Sequence, residues 1–238
     1  MDDMQRMQSL VDRLNETAYA YYVLDNPTIS DAQWDALYDE LTELEARTGV
    51  RLADSPTRRV GGEPISAFEP HRHLARLWSL GKAQREGEVL EWCQRCENLR
   101  DAMEGDDRPP LSFAVEYKLD GLTINLTYEG GLLVGAATRG NGEVGEEILQ
   151  QARTIRTIPA RIPFTGRMEV QGEGIMRLSA LEAYNRTADE PLKNARNAAA
   201  GALRNLDPQV TASRRLDAFF YQVGYIEGRS FADQAEMI

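Results

Sequence analysis

Val115-Glu116-Tyr117-Lys118-Leu119-Asp120-Gly121 places a lysine two residues before Asp-Gly at the end of a strand-like run, and Leu122-Thr-Ile-Asn-Leu-Thr-Tyr128 continues the strand signal behind it. Alternation puts Leu122, Ile124 and Leu126 on one face, Glu129-Gly130-Gly131 turns the chain, and Leu132 to Thr138 returns. This pattern predicts an antiparallel meander entered by a strand over Leu111 to Lys118, with Lys118 held at its rim. A lone Lys-x-Asp-Gly is equally the signature of an exposed β-turn, so the lysine gains meaning only from its company. An amine in a fixed position facing a pocket can attack phosphorus. An ordinary lysine, with a pKa near ~10.4, is protonated at neutral pH and must be made reactive by neighbouring cations, a metal or desolvation. Gly121 lets backbone and ligand approach closely.

Beyond the meander, a helix is predicted over Gly145 to about Ile155, a strand over Arg167 to Met176, and a helix over Leu178 to Asn185. An alanine-rich helix over Asn197 to Asn205 and a strand over Leu216 to Tyr225 follow. Gly140-Asn-Gly142-Glu-Val-Gly145 matches G-x-G-x-x-G. The preceding strand is the return arm of a hairpin and not the first strand of a parallel βαβ unit, so the dinucleotide-fold reading is set aside. The glycines read instead as a turn that exposes Arg139 to a phosphate.

Towards the N-terminus, Met4, Met7, Leu10, Val11, Leu14 and Ala18 mark a first helix ending at Tyr21. Ser30 with Gln33 three residues on is a capping-box pattern, opening a second helix to about Arg47. The short loop between them predicts an antiparallel helical module. Its junction gathers Tyr21, Tyr22, Asp25, Asp31, Trp34 and Asp35. Such residues serve either as core and helix-dipole partners or as a pocket whose rings stack on a planar cationic ligand while carboxylates neutralise it. Leu52 to Pro70, with Asp54-Ser-Pro-Thr57, Arg58-Arg59, Gly61-Gly62 and Pro64, reads as a linker, dividing the chain into 1–70 and 71–238. Val89, Leu90, Trp92, Cys93, Cys96, Leu99 and Met103 form another helical stripe, broken by Glu104 to Pro110. Its Cys93-Gln-Arg-Cys96 has the spacing of two core residues and lacks the ligand count of a metal site, so no metal site is assigned.

The 238 residues, 42% of them apolar, suffice for real cores. The 27 Lys and Arg against 38 Asp and Glu give a net charge of −11, which excludes an unfocused electrostatic grip on nucleic acid and leaves local basic clusters. The acidic start and the lack of an apolar run near ~18 residues set the expectation of a cytoplasmic protein with no membrane partner.

With the other blocks beside it, Lys118-Leu-Asp120-Gly121 resembles the adenylation motif of the bacterial NAD+-dependent DNA ligases, and the likeness runs over nearly the whole chain. The Tyr21-to-Asp35 block resembles that family's N-terminal module, which takes the nicotinamide mononucleotide half of NAD+, and Asp54-Ser-Pro-Thr-Arg-Arg-Val-Gly-Gly62 its interdomain segment. The resemblance implies an α+β protein: a helical NMN/NAD-binding module, then a mainly antiparallel-sheet nucleotidyltransferase domain, C-terminally incomplete. It implies that Lys118 becomes adenylated with Glu116, Asp120 and Gly121 as motif neighbours, and that Tyr21, Tyr22, Asp31, Trp34 and Asp35 hold the nicotinamide half. Ser79-Leu80 would touch adenosine, Arg139 a phosphate and Glu173 the ribose, with Tyr221 stacking on adenine. Asn194, Arg196 and Arg204 would face the adenylate and DNA.

The implied activity is nick sealing in replication and repair through a lysyl-AMP intermediate. NAD+ and Mg2+ are the implied cofactors and nicked double-stranded DNA the partner, in a monomeric, nucleoid-associated bacterial protein. Departures are Tyr22 for His, Trp34 for Tyr, Asn141 for Asp, Gln171 for Arg and Ala195 for Pro. The likeness ends at Ile238, before the family's Asp-Gly-Val-Val-Ile-Lys strand and its OB, zinc-finger, helix-hairpin-helix and BRCT regions, so the expectation for this chain alone is poor self-adenylation and no sealing. Two rivals stand beside it: an ATP- or GTP-dependent lysine nucleotidyltransferase of the RNA ligase or capping type, and a non-catalytic nucleotide- or DNA-binding remnant.

Overall fold

Helix α1 (Asp3–Tyr22) and helix α2 (Asp31–Thr48) pack antiparallel because Met7, Leu10, Val11 and Leu14 recur at helical spacing and meet Leu41 and Leu44, all buried. The computed structural model describes residues 2–22, 24, 26–59, 67–103 and 110–237. The capping box predicted from Ser30 is present: its hydroxyl accepts from the Gln33 amide, and its own amide donates to Gln33 Oε1 at 3.0 Å. Gly49 closes α2 at φ 69°, a left-handed turn that glycine adopts without strain. Half-exposed ion pairs Arg6–Glu40 (2.6 Å) and Arg47–Asp3 (2.8 Å) bridge the helices and, screened by solvent, add little to stability.

The first half of the expected linker is not a solvated tether. Glu45, buried in α2, accepts hydrogen bonds from Ser55 Oγ and Thr57 Oγ1, both at 2.6 Å, and pairs with Arg51 at 3.2 Å. Asn15 donates to the Asp54 carbonyl at 2.9 Å, and a 3-10 turn over Pro56–Arg59 follows. A buried carboxylate with every donor supplied from the same short segment makes that segment part of the module. Gly61, Gly62 and Pro64 lie outside the described residues.

The second core is built on a four-stranded antiparallel sheet, ordered β3 (Leu132–Thr138), β2 (Leu122–Glu129), β5 (Met168–Ile175), β6 (Asp217–Ile226). Its apolar face sets Ile124, Leu126 and Tyr128 against Ala198, Ala199, Ala202 and Leu203 of an alanine-rich helix, which runs Ala195–Leu203. The simple alternation predicted for β2 holds on this face only in part of its meaning, because Asn125 and Thr127 on the other face are buried too. They are covered by a two-stranded sheet of β1 (Pro70–Arg72) and β4 (Val144–Glu146). That pairing shortens the helix expected from Gly145, which runs only Leu149–Arg153: a Cβ on Gly145 would sink into the Thr138 carbonyl, so backbone packs where a helix would need room. The helix over Leu178–Asn185 and the strands at 168–175 and 217–226 lie where predicted within a residue or two.

Two expectations fail. Leu111 to Lys118 is not a strand, and its alternating Phe113, Val115 and Tyr117 are 48%, 96% and 98% exposed. Alternation makes a strand only where an edge is open to pair. Here β2 already lies between β3 and β5, while on β6 the Tyr221 carbonyl accepts from Gln234 and the Val223 amide meets Met237 Sδ. Likewise the helix Glu86–Asp101 forms as predicted yet buries none of its residues, so Cys93 and Cys96 are half-exposed free thiols and not core.

The contrast is measurable. Ile124→Ala, emptying a fully buried site, is expected to cost ~2–5 kcal/mol in urea unfolding, whereas Val115→Ala should change stability by less than ~0.5 kcal/mol.

Candidate active site

Lys118 is exposed, four residues ahead of β2, and the turn that carries it closes through Gly121, where any Cβ would collide with the Gly174 carbonyl of β5. That contact ties the lysine turn to the strand bearing Glu173. Glu173 sits opposite Thr123 of β2 and Phe219 of β6 in the sheet register, 6% exposed. Burial raises the pKa of its carboxyl above the usual value, opposed by the Thr123 hydroxyl, the Gly121 amide and the charges of Lys118 and Arg196. Tyr221 is the extra residue of a β-bulge in β6, between partners Gln171–Gln222 and Gly172–Phe220. Such a bulge turns its side chain out of the regular alternation. Burial, then the Glu173 charge, pushes the Tyr221 hydroxyl up, while Thr123 and Arg139 pull it down. Lys118 and Arg196 thus act on Glu173, and Glu173 and Arg139 on Tyr221, with Thr123 as a shared member that sequence reading missed. Only the strand register reveals it.

The remaining predicted residues divide. Asp120 pairs with Arg196 at 2.6 Å, and Arg196 stands in the first turn of the alanine-rich helix, whose N-cap Asn194 accepts from the Asn197 amide. Glu116 accepts from Gln234 at 2.8 Å. Ser79 is brought to the site by Arg139, which donates to its hydroxyl at 2.9 Å, while neighbouring Leu80 is 75% exposed. Arg204, at the far end of the same helix as Arg196, faces Glu146 of β4 at 3.9 Å.

In the helical module, Asp31 and Asp35 are exposed on the first turns of α2 and Tyr21 is 50% exposed, so a polar rim exists. Trp34 stacks on Tyr38 with ring centroids 5.1 Å apart and packs against the module core, so this ring is partly structural. The side chain of Tyr22, and Asp25, lie outside the described residues. A cleft of about 840 Å3 lies away from these residues, between α1 and residues 161–163, where Arg161 pairs with Asp12 (3.0 Å) and Asp54 (2.6 Å). It brings together none of the predicted site residues.

Behind Arg139 lies a buried polar layer that sequence reading did not anticipate. Ligand atoms of His71, His73 and Glu169 lie within 4.8 Å of one another. Both ring nitrogens of His73 are engaged, with the Arg139 carbonyl and with Asn125, and Glu169 accepts from the Leu74 amide at 2.9 Å. A cation entering here would have to displace those partners. His71 pairs with Glu147 at 2.6 Å and faces Glu169 at 3.8 Å, an ion-pair rather than a hydrogen-bond separation. These carboxylates, Glu147 foremost, lift its pKa to about 9. Burial alone would raise Glu169, but the facing His71 and donors from Asn125 and the Leu74 and Ala75 amides carry it below the ordinary carboxylate value. Because the folded pKa of His71 lies above its ordinary 6.5, its contribution is complete below pH 6.5 and is lost as pH rises through about 9. The melting temperature is therefore expected to fall between pH 7 and 10, and His71→Gln should flatten that slope; an unchanged slope would refute the assignment.

A family model described as the NAD-dependent DNA ligase adenylation domain matches residues 65–238, and another, the DNA ligase-like N-terminal NAD+-binding domain, matches residues 1–61. A DNA ligase of Alkaliphilus metalliredigens is 56% identical over 238 residues, covering 100% of this chain and 35% of the relative. One of Finegoldia magna is 54% identical over 241 residues (100% and 36%), and one of Clostridium novyi 52% identical over 233 residues (96% and 35%). The chain spans about a third of the length of these relatives.

Proposed function

The chain belongs to the NAD-dependent DNA ligase family, and from that premise we propose that its Lys118 takes AMP from NAD+ as the first step of sealing nicked double-stranded DNA in replication and repair. The observation that carries this reading is the buried Glu173, which takes the Gly121 amide and feels Lys118 and Arg196, with Arg196 paired to Asp120 and Tyr221 next to Glu173 in the same network. The Lys118 amine attacks the α-phosphorus, forming a P–N bond as the pyrophosphate P–O bond breaks and nicotinamide mononucleotide leaves. AMP then passes to a DNA 5′-phosphate, and a 3′-hydroxyl displaces it. Such transfers draw on in-line positioning and charge stabilisation. Arg139, anchored by Ser79, offsets phosphate charge; Glu173, with donors already on it, accepts from a ribose hydroxyl; Tyr221 offers a ring to adenine.

Glu116 and Asp120 flank Lys118 as exposed carboxylates, each engaged by a single donor, which suits a hydrated Mg2+ bound mainly through nucleotide phosphates. When bound, Mg2+ supplies further charge compensation. Tyr21, Asp31, Trp34 and Asp35 form the rim for the cationic nicotinamide half. Arg196 and Arg204 supply local positive charge for DNA on a chain of net charge −11. No helix among the described residues is long and apolar enough to cross a membrane. The test is incubation of a version of the chain lengthened to the span of its relatives with adenylate-labelled NAD+ or labelled ATP, followed by a denaturing gel. Label from NAD+ alone supports the reading, and label from ATP would replace it with the nucleoside-triphosphate reading.

A further inference from the structure

We propose that His73, with Asn125 behind it, is a positioning residue that sets the Arg139 guanidinium, a role resting on the reading of Arg139 as the phosphate-facing arginine. Asn125 is fully buried on β2, and its amide group meets His73 Nδ1 at 3.1 Å. His73, 7% exposed, then turns its other nitrogen to the Arg139 carbonyl at 3.1 Å. A carbonyl can only accept, so His73 Nε2 is the donor in the bond to Arg139. The Arg139 carbonyl takes a second donor, the Gly142 amide at 3.0 Å, which closes the turn.

That turn is bound to the segment carrying Ser79 at every step. The His73 amide donates to the Glu143 carbonyl at 3.0 Å and the Leu77 amide to the Gly142 carbonyl at 2.8 Å. Arg139 in turn donates to Ser79 Oγ at 2.9 Å. Within the turn, Asn141 Oδ1 accepts from the Glu143 and Val144 amides at 2.9 and 2.8 Å. Only an acceptor oxygen is used there, and Asn141 supplies it. The guanidinium itself is exposed and held by its bond to Ser79 Oγ, so its direction depends on the Arg139 turn and the Ser79 segment keeping their alignment. His73 holds that turn from below through the Arg139 carbonyl.

Two near-isosteric variants separate the two bonds. His73→Gln keeps a donor at the position of Nε2, and His73→Asn keeps only a group at the position of Nδ1. The ordering of Arg139 is read directly, by the heteronuclear NOE of its side-chain Nε–H, and again through equilibrium binding of AMP against adenosine, whose difference isolates the phosphate. His73→Asn is expected to lower the Arg139 NOE and weaken AMP roughly 10-fold with adenosine unchanged, while His73→Gln stays within about 3-fold of the parent chain. An Arg139 NOE unmoved by His73→Asn, or equal losses for AMP and adenosine, would overturn the proposal. Should the parent chain bind neither ligand, the phosphate reading of Arg139 fails, and the NOE still decides whether His73 positions it.

Discussion

Lys118→Ala is expected to abolish covalent AMP labelling, to below detection on a denaturing gel, in a version of the chain lengthened to the span of its relatives. The side chain removed is the proposed nucleophile, and no neighbouring group named here among the described residues offers an amine in its place: Arg139 and Arg196 carry guanidinium groups, and Glu116 and Asp120 are already engaged by Gln234 and Arg196. Lys118→Arg is expected to fail equally, because it keeps the charge and loses the free amine. Both variants should unfold within ~0.5 kcal/mol of the parent, since Lys118 is exposed and precedes β2. A labelled Lys118→Ala protein sinks the assignment. Loss of label together with a lowered melting temperature would signal damage to the Gly121 contact instead.

The second large effect concerns cofactor choice. Replacing Asp31 and Asp35 together by Ala is expected to reduce labelling from NAD+ by ~10²-fold or more, while pre-adenylated protein still passes AMP to nicked DNA. Charge neutralisation of a cationic nicotinamide is lost only in the step that uses NAD+. Both acids are exposed near the start of α2 and only Asp31 lies in its first turn, where its contribution to the helix is ~0.3–1 kcal/mol, so the module core of Met7, Leu10, Leu14 and Leu41 should persist. Deleting residues 1–50 should give the same partition of effects, because the cluster around Ile124, Leu126 and Leu203 shares no residue with the module core. NAD+ use that survives either change would make the aromatic and acidic rim a structural feature and no more.

The apolar stripe of the 86–101 helix and the alternating Phe113, Val115 and Tyr117 show how far local pattern can mislead. Each pattern states which side of an element prefers burial, and neither states whether a partner is there to cover it. Trp92 and Phe113 touch, with ring centroids 5.1 Å apart, so the two uncovered elements meet one another while both remain exposed. Sequence patterning therefore located the helix correctly and its buried face wrongly.

What the sequence by itself determined was everything written over a few neighbouring residues. The α1–α2 hairpin follows from apolar spacing, a Ser30–Gln33 capping box and Gly49. The β2–β3 hairpin follows from alternation about Gly130-Gly131, both at positive φ. The order of short blocks around Lys118 was enough to name the family. The tertiary structure alone decided which distant residues share a volume. Glu173 reaches Thr123 and the Gly121 amide through the β2–β5 register, and Tyr221 joins them through a one-residue bulge in β6. His73 finds Asn125, 52 residues away, and Arg139, 66 residues away, because β1 and β4 fold over the polar face of β2. The physical reason is that register and sheet-on-sheet contact are settled by the combined burial and hydrogen-bond requirements of several strands at once, which no window of neighbouring residues encodes.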